Sequence, residues 1–138
     1  MRILLIAVFL IISVVSLAQT EGESALVSMS KTVGQSSCEN EINYKGLFSL
    51  SLSGQYTGAS TMEWLSQINE TAFFKCPKGF LRYLSLLPNM EQDKVLMYFG
   101  IVNPPWEIAA ALEPYENSTE LGGFISSKLS GFKKYSKP

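Results

Sequence analysis

Apolar side chains recur every three or four residues through most of the chain beyond residue 60, the spacing of amphipathic helices. The clearest example is residues 61–76. Its apolar positions fall on one side of a helical projection, and they are Met62, Leu65, Ile68, Ala72, Phe73 and Cys76. Its polar positions fall on the opposite side, where we expect them to face water, and they are Glu63, Gln67 and Glu70. The pattern predicts a helix with one buried face.

Both ends of this helix carry sequence signals. Ser60 or Thr61 can cap the N-terminus, and Pro77 biases Cys76 away from helical angles. Asn69 conflicts with the pattern, because it begins a glycosylation sequon yet falls among the apolar positions. Either the helix breaks near Asn69 or the sequon is unused, and the uninterrupted apolar pattern favours an unused sequon.

Residues 47–53 alternate between apolar and serine side chains, a period of two that is typical of a strand. The segment lies between Gly46 and Gly54, and an isolated strand of this length needs a partner, which is not evident. The same residues also fit the end of a helix over 39–52. The pattern leaves both alternatives open.

Prolines and capping residues divide the rest of the chain into further helices. Asn89 and Gln92 have the spacing of an N-terminal cap. Residues 95–102 are apolar all round, which fits a buried helix or a buried strand, and the preceding cap favours a helix that ends at Gly100. The predicted helices are residues 77–87, 89–100, 106–112 and 117–135.

We therefore expect an all-α, mostly helical fold, a small bundle of four to six short helices with one disulfide. An α+β fold with a short strand around 48–52 is the alternative. Cys38 and Cys76 would form the disulfide and close a loop of about forty residues, which contributes ~3–4 kcal/mol in the chain-entropy model.

The N-terminus has the composition of a signal peptide over residues 1–18. Arg2 precedes an apolar run, and Ser16-Leu17-Ala18 gives a small–any–small cleavage pattern. We expect secretion, followed by an N-terminal arm over residues 19–37 that is either flexible or a short helix. Residues 38–138 would then form a single helical domain. Loss of Arg2 takes the net charge from −1 to −2, too small a field to recruit nucleic acid.

The chain contains no histidine, which excludes Ser–His, Cys–His and histidine-ligated metal sites. Three pairs of acidic residues could act in catalysis, and they are Glu39/Glu41, Glu63/Glu70 and Glu91/Asp93. No apolar context that would raise a carboxyl pKa towards neutrality surrounds any of them. We expect solvated charges, no metal, no cofactor and no enzymatic activity.

The aromatic content is high for a chain of this size, and it has two interpretations. The rings can fill a core, or they can line an apolar cavity or groove that holds a lipid-like ligand or a partner helix. The candidate ligand-binding residues are Phe73, Tyr83, Tyr98, Phe99, Trp106 and Phe124. A core and a cavity have the same composition, so the pattern does not choose between them.

Asn117 and Glu120 have capping-box spacing at the start of the last helix, where the Asn117 sequon can reach solvent. Asn117 is therefore favoured over Asn69 as a glycosylation site. The apolar face and terminal lysines of this helix also resemble an interfacial membrane helix. We expect a secreted, non-enzymatic protein that binds an extracellular protein or an apolar ligand. A membrane-active protein that uses the C-terminal helix is the alternative, and no oligomeric state is indicated.

Overall fold

The computed structural model describes residues 21–138, so the expected leader over residues 1–18 lies outside the described residues. Within the described part, seven α-helices and two 3-10 helices follow one another without a strand. Residues 21–35 form α1. The other elements are α2 (Tyr44–Leu52), α3 (Ala59–Lys75), α4 (Pro77–Ser85), α5 (Asn89–Leu96), α6 (Pro105–Leu112), a 3-10 helix (Glu113–Tyr115), α7 (Gly122–Lys128) and a second 3-10 helix (Ser130–Lys134). The all-α fold is confirmed, with one helix more than the four to six expected.

Helix α1 covers most of the segment 19–37, for which the sequence left a flexible arm and a short helix open. Leu26 and Val33 are buried in the same core as the rest of the chain. The ammonium group of Lys75 donates a hydrogen bond to the carbonyl of Gly34 at 2.7 Å and so caps the C-terminal end of α1. The helical alternative is therefore the one that the structure adopts.

The strand alternative for residues 48–52 is wrong, because these residues belong to α2. The side chain of Asn43 accepts a hydrogen bond from the N–H of Gly46 at 2.9 Å and caps the helix, which begins five residues after Glu39. The buried positions have helical spacing, and they are Tyr44, Leu47, Phe48 and Ser51. A helix places Leu47 on the same side as Phe48 and Ser51, whereas an alternating strand would put Leu47 and Phe48 on opposite faces, and the burial of both fits the helix.

Helix α3 begins at Ala59 and has Gly58 at its N-cap position, so neither Ser60 nor Thr61 caps it. The hydroxyl of Thr61 instead donates a hydrogen bond to the Gly58 carbonyl at 3.0 Å. The expected interruption at Cys76 is confirmed: its φ of −147° and ψ of 77° separate α3 from α4. The helix is continuous through its whole length, including the sequon.

The expectation that Glu70 faces water is wrong. Glu70 is fully buried, and so is its neighbour Asn69. The reason is tertiary, because residues 101–103 fold over this part of α3 and their N–H groups donate to the Glu70 carboxylate.

Helix α5 differs from the expected helix at both ends. Asn89 is its first residue and makes no side-chain cap, because Pro88 occupies the N-cap position. The helix ends at Leu96, and turns lead from there to Gly100, whose φ of +78° is favourable only for glycine. Gln92 does not complete a capping pair; its side-chain amide donates to the Leu87 carbonyl at 2.9 Å.

The last expected helix, residues 117–135, is shorter than its apolar pattern suggested. The hydroxyl of Ser118, rather than the side chain of Asn117, accepts the N–H of Leu121 at 3.1 Å. Gly122 then approaches the Glu116 carbonyl so closely that a Cβ would lie 2.5 Å from that oxygen. This tight turn delays the start of α7 to Gly122 and leaves a helix of 7 residues.

The disulfide between Cys38 and Cys76 is confirmed, with the two Cα atoms 5.1 Å apart. It joins the turn after α1 to the junction of α3 and α4. Tyr44 packs beside this junction, where burial and the nearby Glu41 carboxylate raise the pKa of its phenol to about 12. The neutral phenol donates to the Cys76 carbonyl. Among residues 21–138, no helix has both the length and the hydropathy that a membrane span requires.

Candidate functional site

Three of the six aromatic candidates lie in the core of the bundle. Phe73, Tyr98 and Phe99 are buried, and the Phe73 and Phe99 rings meet edge to face with centroids 5.2 Å apart. Phe80 stacks on Phe99 at 5.5 Å. The Tyr98 hydroxyl donates to the Tyr56 carbonyl at 3.0 Å. These rings fill space against one another, so their position favours the core interpretation over the ligand cavity.

The other three candidates are distributed around the molecule. Phe124 is half-buried against the core, and Trp106 is half-buried on the first turn of α6. Tyr83 is partly exposed, and its ring stacks on Tyr44 with centroids 5.7 Å apart. Tyr83 and Tyr44 line an open groove of about 320 Å³, together with the polar or charged residues Glu41, Asn43 and Lys45. The structure therefore does not assemble the six candidates into one site.

The acidic residues considered for catalysis do not converge either. Glu39, Glu41 and Glu63 are exposed, and Asp93 forms an ion pair with Lys128 at 2.6 Å. Across the described residues, no group of three or more acidic or cysteine side chains is arranged to hold a metal ion.

Glu70 is the exception among the carboxylates, and sequence reasoning missed it. One carboxylate oxygen accepts the N–H groups of Ile101 at 2.8 Å and Val102 at 3.1 Å. The other accepts both the N–H and the side-chain amide of Asn103, each at 2.6 Å. The Ser66 hydroxyl adds a fifth donor at 2.9 Å. Three consecutive N–H groups around one anion form a nest that fixes residues 101–103 on α3.

The donors around Glu70 keep it ionised despite its burial. Burial by itself would raise the pKa of this carboxyl, but hydrogen bonds from Val102, Asn103 and Ser66 outweigh burial and lower the pKa below its ordinary 4.5. The charge therefore persists at neutral pH. The one sequence signal for this site is the spacing of Ser66 and Glu70, four residues apart in α3.

Ile101, the first residue that this carboxylate orders, also belongs to an unusually apolar surface formed by α5 and the turns on either side of it. Met90 is 73% exposed and Met97 is 59% exposed, although both are large and apolar. Leu86, four residues before Met90, is 78% exposed, and Ile101, four residues after Met97, is 50% exposed. We call these four residues the α5 face. Isolated exposed apolar residues are common, but four along one short stretch of chain form a candidate binding surface.

The helix periodicity explains why the two methionines point the same way. Met90 and Met97 are seven residues apart, so they lie within about 20° of each other around the axis and ~10 Å apart along it. The buried residues of α5, Gln92 and Val95, lie on the opposite side. Val95 enters the core, and the side-chain amide of Gln92 donates to the carbonyl of Ser85 at the end of α4. The core side of α5 is thus already occupied, and its methionines remain in solvent.

A sequence signal for the α5 face existed, but the uniformly apolar run of residues 95–102 obscured it. The apolar pattern of this run predicts burial, whereas Met97, Ile101 and Val102 are exposed. Comparisons of the chain with protein-family models, with curated proteins and with solved structures give no match.

Proposed function

We propose that this is a secreted, non-enzymatic binding protein that engages an extracellular protein through the α5 face. One observation carries the proposal: Leu86, Met90, Met97 and Ile101 remain 50–78% exposed on a bundle that has a buried apolar core. Each such side chain contributes ~1.5–3 kcal/mol when it is removed from water. A protein surface is the partner that can cover all four.

The buried Glu70 makes this surface better suited to binding. Ordering a loop upon binding costs free energy, and a loop that is already ordered avoids this cost. The Glu70 carboxylate fixes the N–H groups of residues 101–103 before any partner arrives. Methionine adds adaptability, because its unbranched side chain can follow the contour of a partner. The α5 face therefore combines a rigid end at Ile101 with two flexible contacts.

Two other functions receive less support. A buried apolar ligand would need space among the core aromatic rings, and Phe73, Phe80 and Phe99 fill that space with one another. A membrane-active C-terminal helix would need a free apolar face, but Ile125 and Leu129 are buried in the core.

Site-specific photocrosslinking tests the proposal. A benzophenone amino acid replaces Met97 in the oxidised, secreted protein, which is then illuminated in the fluid into which the protein is naturally released. We expect a covalent adduct with one protein of defined mass. The matched control carries the same photoreactive group at Glu63, an exposed position on α3. An equal adduct pattern at both positions, or no adduct at position 97, contradicts the proposal.

Two further features of an extracellular protein belong to this proposal. The disulfide between Cys38 and Cys76 is typical of proteins that fold in an oxidising compartment. Asn117 begins a sequon and is exposed in the turn before α7, so an oligosaccharide there would point into solvent.

A further inference from the structure

The α5 face is complementary to itself, and we infer that its occupant is a second copy of this chain, with the two α5 helices side by side and parallel. This inference rests on the proposed function, because it names the partner of the same surface. It follows from the arrangement of four exposed residues of α5 and its C-cap: Met90, Asp93, Lys94 and Met97.

The two methionines supply the apolar centre of such a contact. They are separated by one heptad, the spacing at which apolar residues of two parallel helices meet in successive layers. In a parallel pair related by a two-fold axis along the helices, each residue meets its own counterpart. Met90 would pack on Met90 of the partner subunit, and Met97 on Met97 of the partner subunit. Leu86 and Ile101 are also exposed, and they precede and follow this helix along the chain.

The charges determine the direction of the pairing. On a helical projection, Asp93 lies ~50° to one side of the methionine line and Lys94 ~50° to the other side. A parallel two-fold pairing places Lys94 opposite Asp93 of the partner subunit on both flanks. An antiparallel pairing would place Lys94 against Lys94 and Asp93 against Asp93. Opposite charges at the flanks of a helix pair favour one orientation and like charges disfavour the other, so the parallel arrangement is selected.

Asp93 can pair with Lys94 of the partner subunit while it keeps its ion pair with Lys128 of its own chain. It pairs with Lys128 of its own chain at 2.6 Å, but its side chain is still 59% exposed. A carboxylate accepts several donors, so one Asp93 can serve Lys128 and Lys94 of the partner subunit together. Since α5 has only 8 residues, the contact is small, and we expect a reversible dimer at micromolar concentration that weakens as salt is added.

Charge variants test whether the face pairs with itself. Sedimentation equilibrium of the oxidised, secreted protein should give a dimer mass as its concentration rises. Asp93→Lys and Lys94→Asp should each raise the dissociation constant about tenfold or more, because each places like charges on both flanks. An equimolar mixture of the two variants should form a heterodimer. Positions 93 and 94 are then both positive in Asp93→Lys and both negative in Lys94→Asp, so opposite charges meet on both flanks. A monomer mass throughout for the unmodified protein overturns the inference.

Cysteine variants test the orientation. In a parallel pair, Met90→Cys should form a disulfide-linked dimer with itself, and so should Met97→Cys. A mixture of the two should give no additional product. Crosslinks that form only in the mixture would indicate antiparallel helices and overturn the parallel pairing. Glu63→Cys, exposed on α3, is the matched control and should stay monomeric.

The two proposals fail in different ways. A photocrosslinked adduct at position 97 with twice the mass of the chain supports both. An adduct with a different protein, from a chain that sediments as a monomer, supports the binding function and rejects the second copy as its partner. No adduct of any mass rejects both.

Discussion

Glu70 and Asn103 are joined by two hydrogen bonds to a single carboxylate oxygen, one from the backbone N–H and one from the side-chain amide, although the residues are 33 positions apart. This contact ties the middle of the bundle to the segment that follows α5. It couples the stability of the fold to the order of the α5 face, because Ile101 donates to the same carboxylate.

Replacing Glu70 tests this coupling. Glu70→Ala removes the acceptor of three backbone N–H groups and should lower the free energy of unfolding by about 2–4 kcal/mol. Urea denaturation followed by circular dichroism measures the change. Glu63→Ala is the matched control, because Glu63 is exposed on the same side of α3 and should cost less than about 0.5 kcal/mol. Equal stability of the two variants would contradict the structural role of Glu70.

The stability of the protein should also depend on pH through Glu70. Its pKa is lowered below 4.5 in the folded state, so the folded state binds this proton less readily than the unfolded state. The stabilisation is therefore complete above pH 4.5 and is lost as the pH falls through the lowered pKa. Unfolding measured between about pH 6 and 3 should show a steeper loss for the natural protein than for Glu70→Gln. Parallel curves would show that other carboxylates account for the acid sensitivity.

Removal of the disulfide should destabilise the bundle. Replacing Cys38 and Cys76 with alanine should lower the free energy of unfolding by ~3–4 kcal/mol, because the unfolded chain regains the freedom of a closed loop. Thermal unfolding by calorimetry measures the loss. Reduction of the natural protein should give a similar decrease. A change below about 1 kcal/mol in both would mean that Lys75 and the core hold this region without the covalent link.

The two sequons should differ when the protein is made in a eukaryotic secretory cell. Asn117 is exposed, whereas Asn69 is fully buried and donates to the Ser51 hydroxyl at 3.2 Å. An oligosaccharide on Asn69 would prevent α2 and α3 from packing. We expect Asn117→Gln to remove the mass that glycosidase treatment removes, and Asn69→Gln to leave that mass unchanged. Loss of the glycan in Asn69→Gln alone would contradict the assignment.

Periodicity predicted much of the fold because it reports local geometry. The spacing of Leu65, Ile68, Ala72 and Phe73 reflects the helix repeat, and the position of Pro77 fixes φ and excludes a helical Cys76. The strand alternative for residues 48–52 was open because a run of five residues can satisfy both periods. The burial of Leu47 beside Phe48, which an alternating strand would place on opposite faces, excludes the strand.

The candidate site was predicted less well than the fold. Phe73, Tyr98 and Phe99 were candidate ligand-binding residues, but a filled core and a cavity have the same sequence pattern. The contacts of these side chains with one another and with the Tyr56 carbonyl favour the core. Met90 and Met97 were present as a heptad pair in the sequence. Whether a helix presents such a pair to the core or to solvent depends on which of its faces the neighbouring helices cover.

By itself, the sequence determined the helical fold class, the break between α3 and α4 and the disulfide, since these depend on residue spacing, proline geometry and the presence of two cysteines. Only the tertiary structure determined whether the side chains of Glu63 and Glu70 are exposed or buried. They are one heptad apart on nearly the same side of α3, and yet the first is exposed and the second is buried under residues 101–103. Periodicity gives a direction around a helix axis. Burial depends in addition on which distant segment of chain comes to lie there.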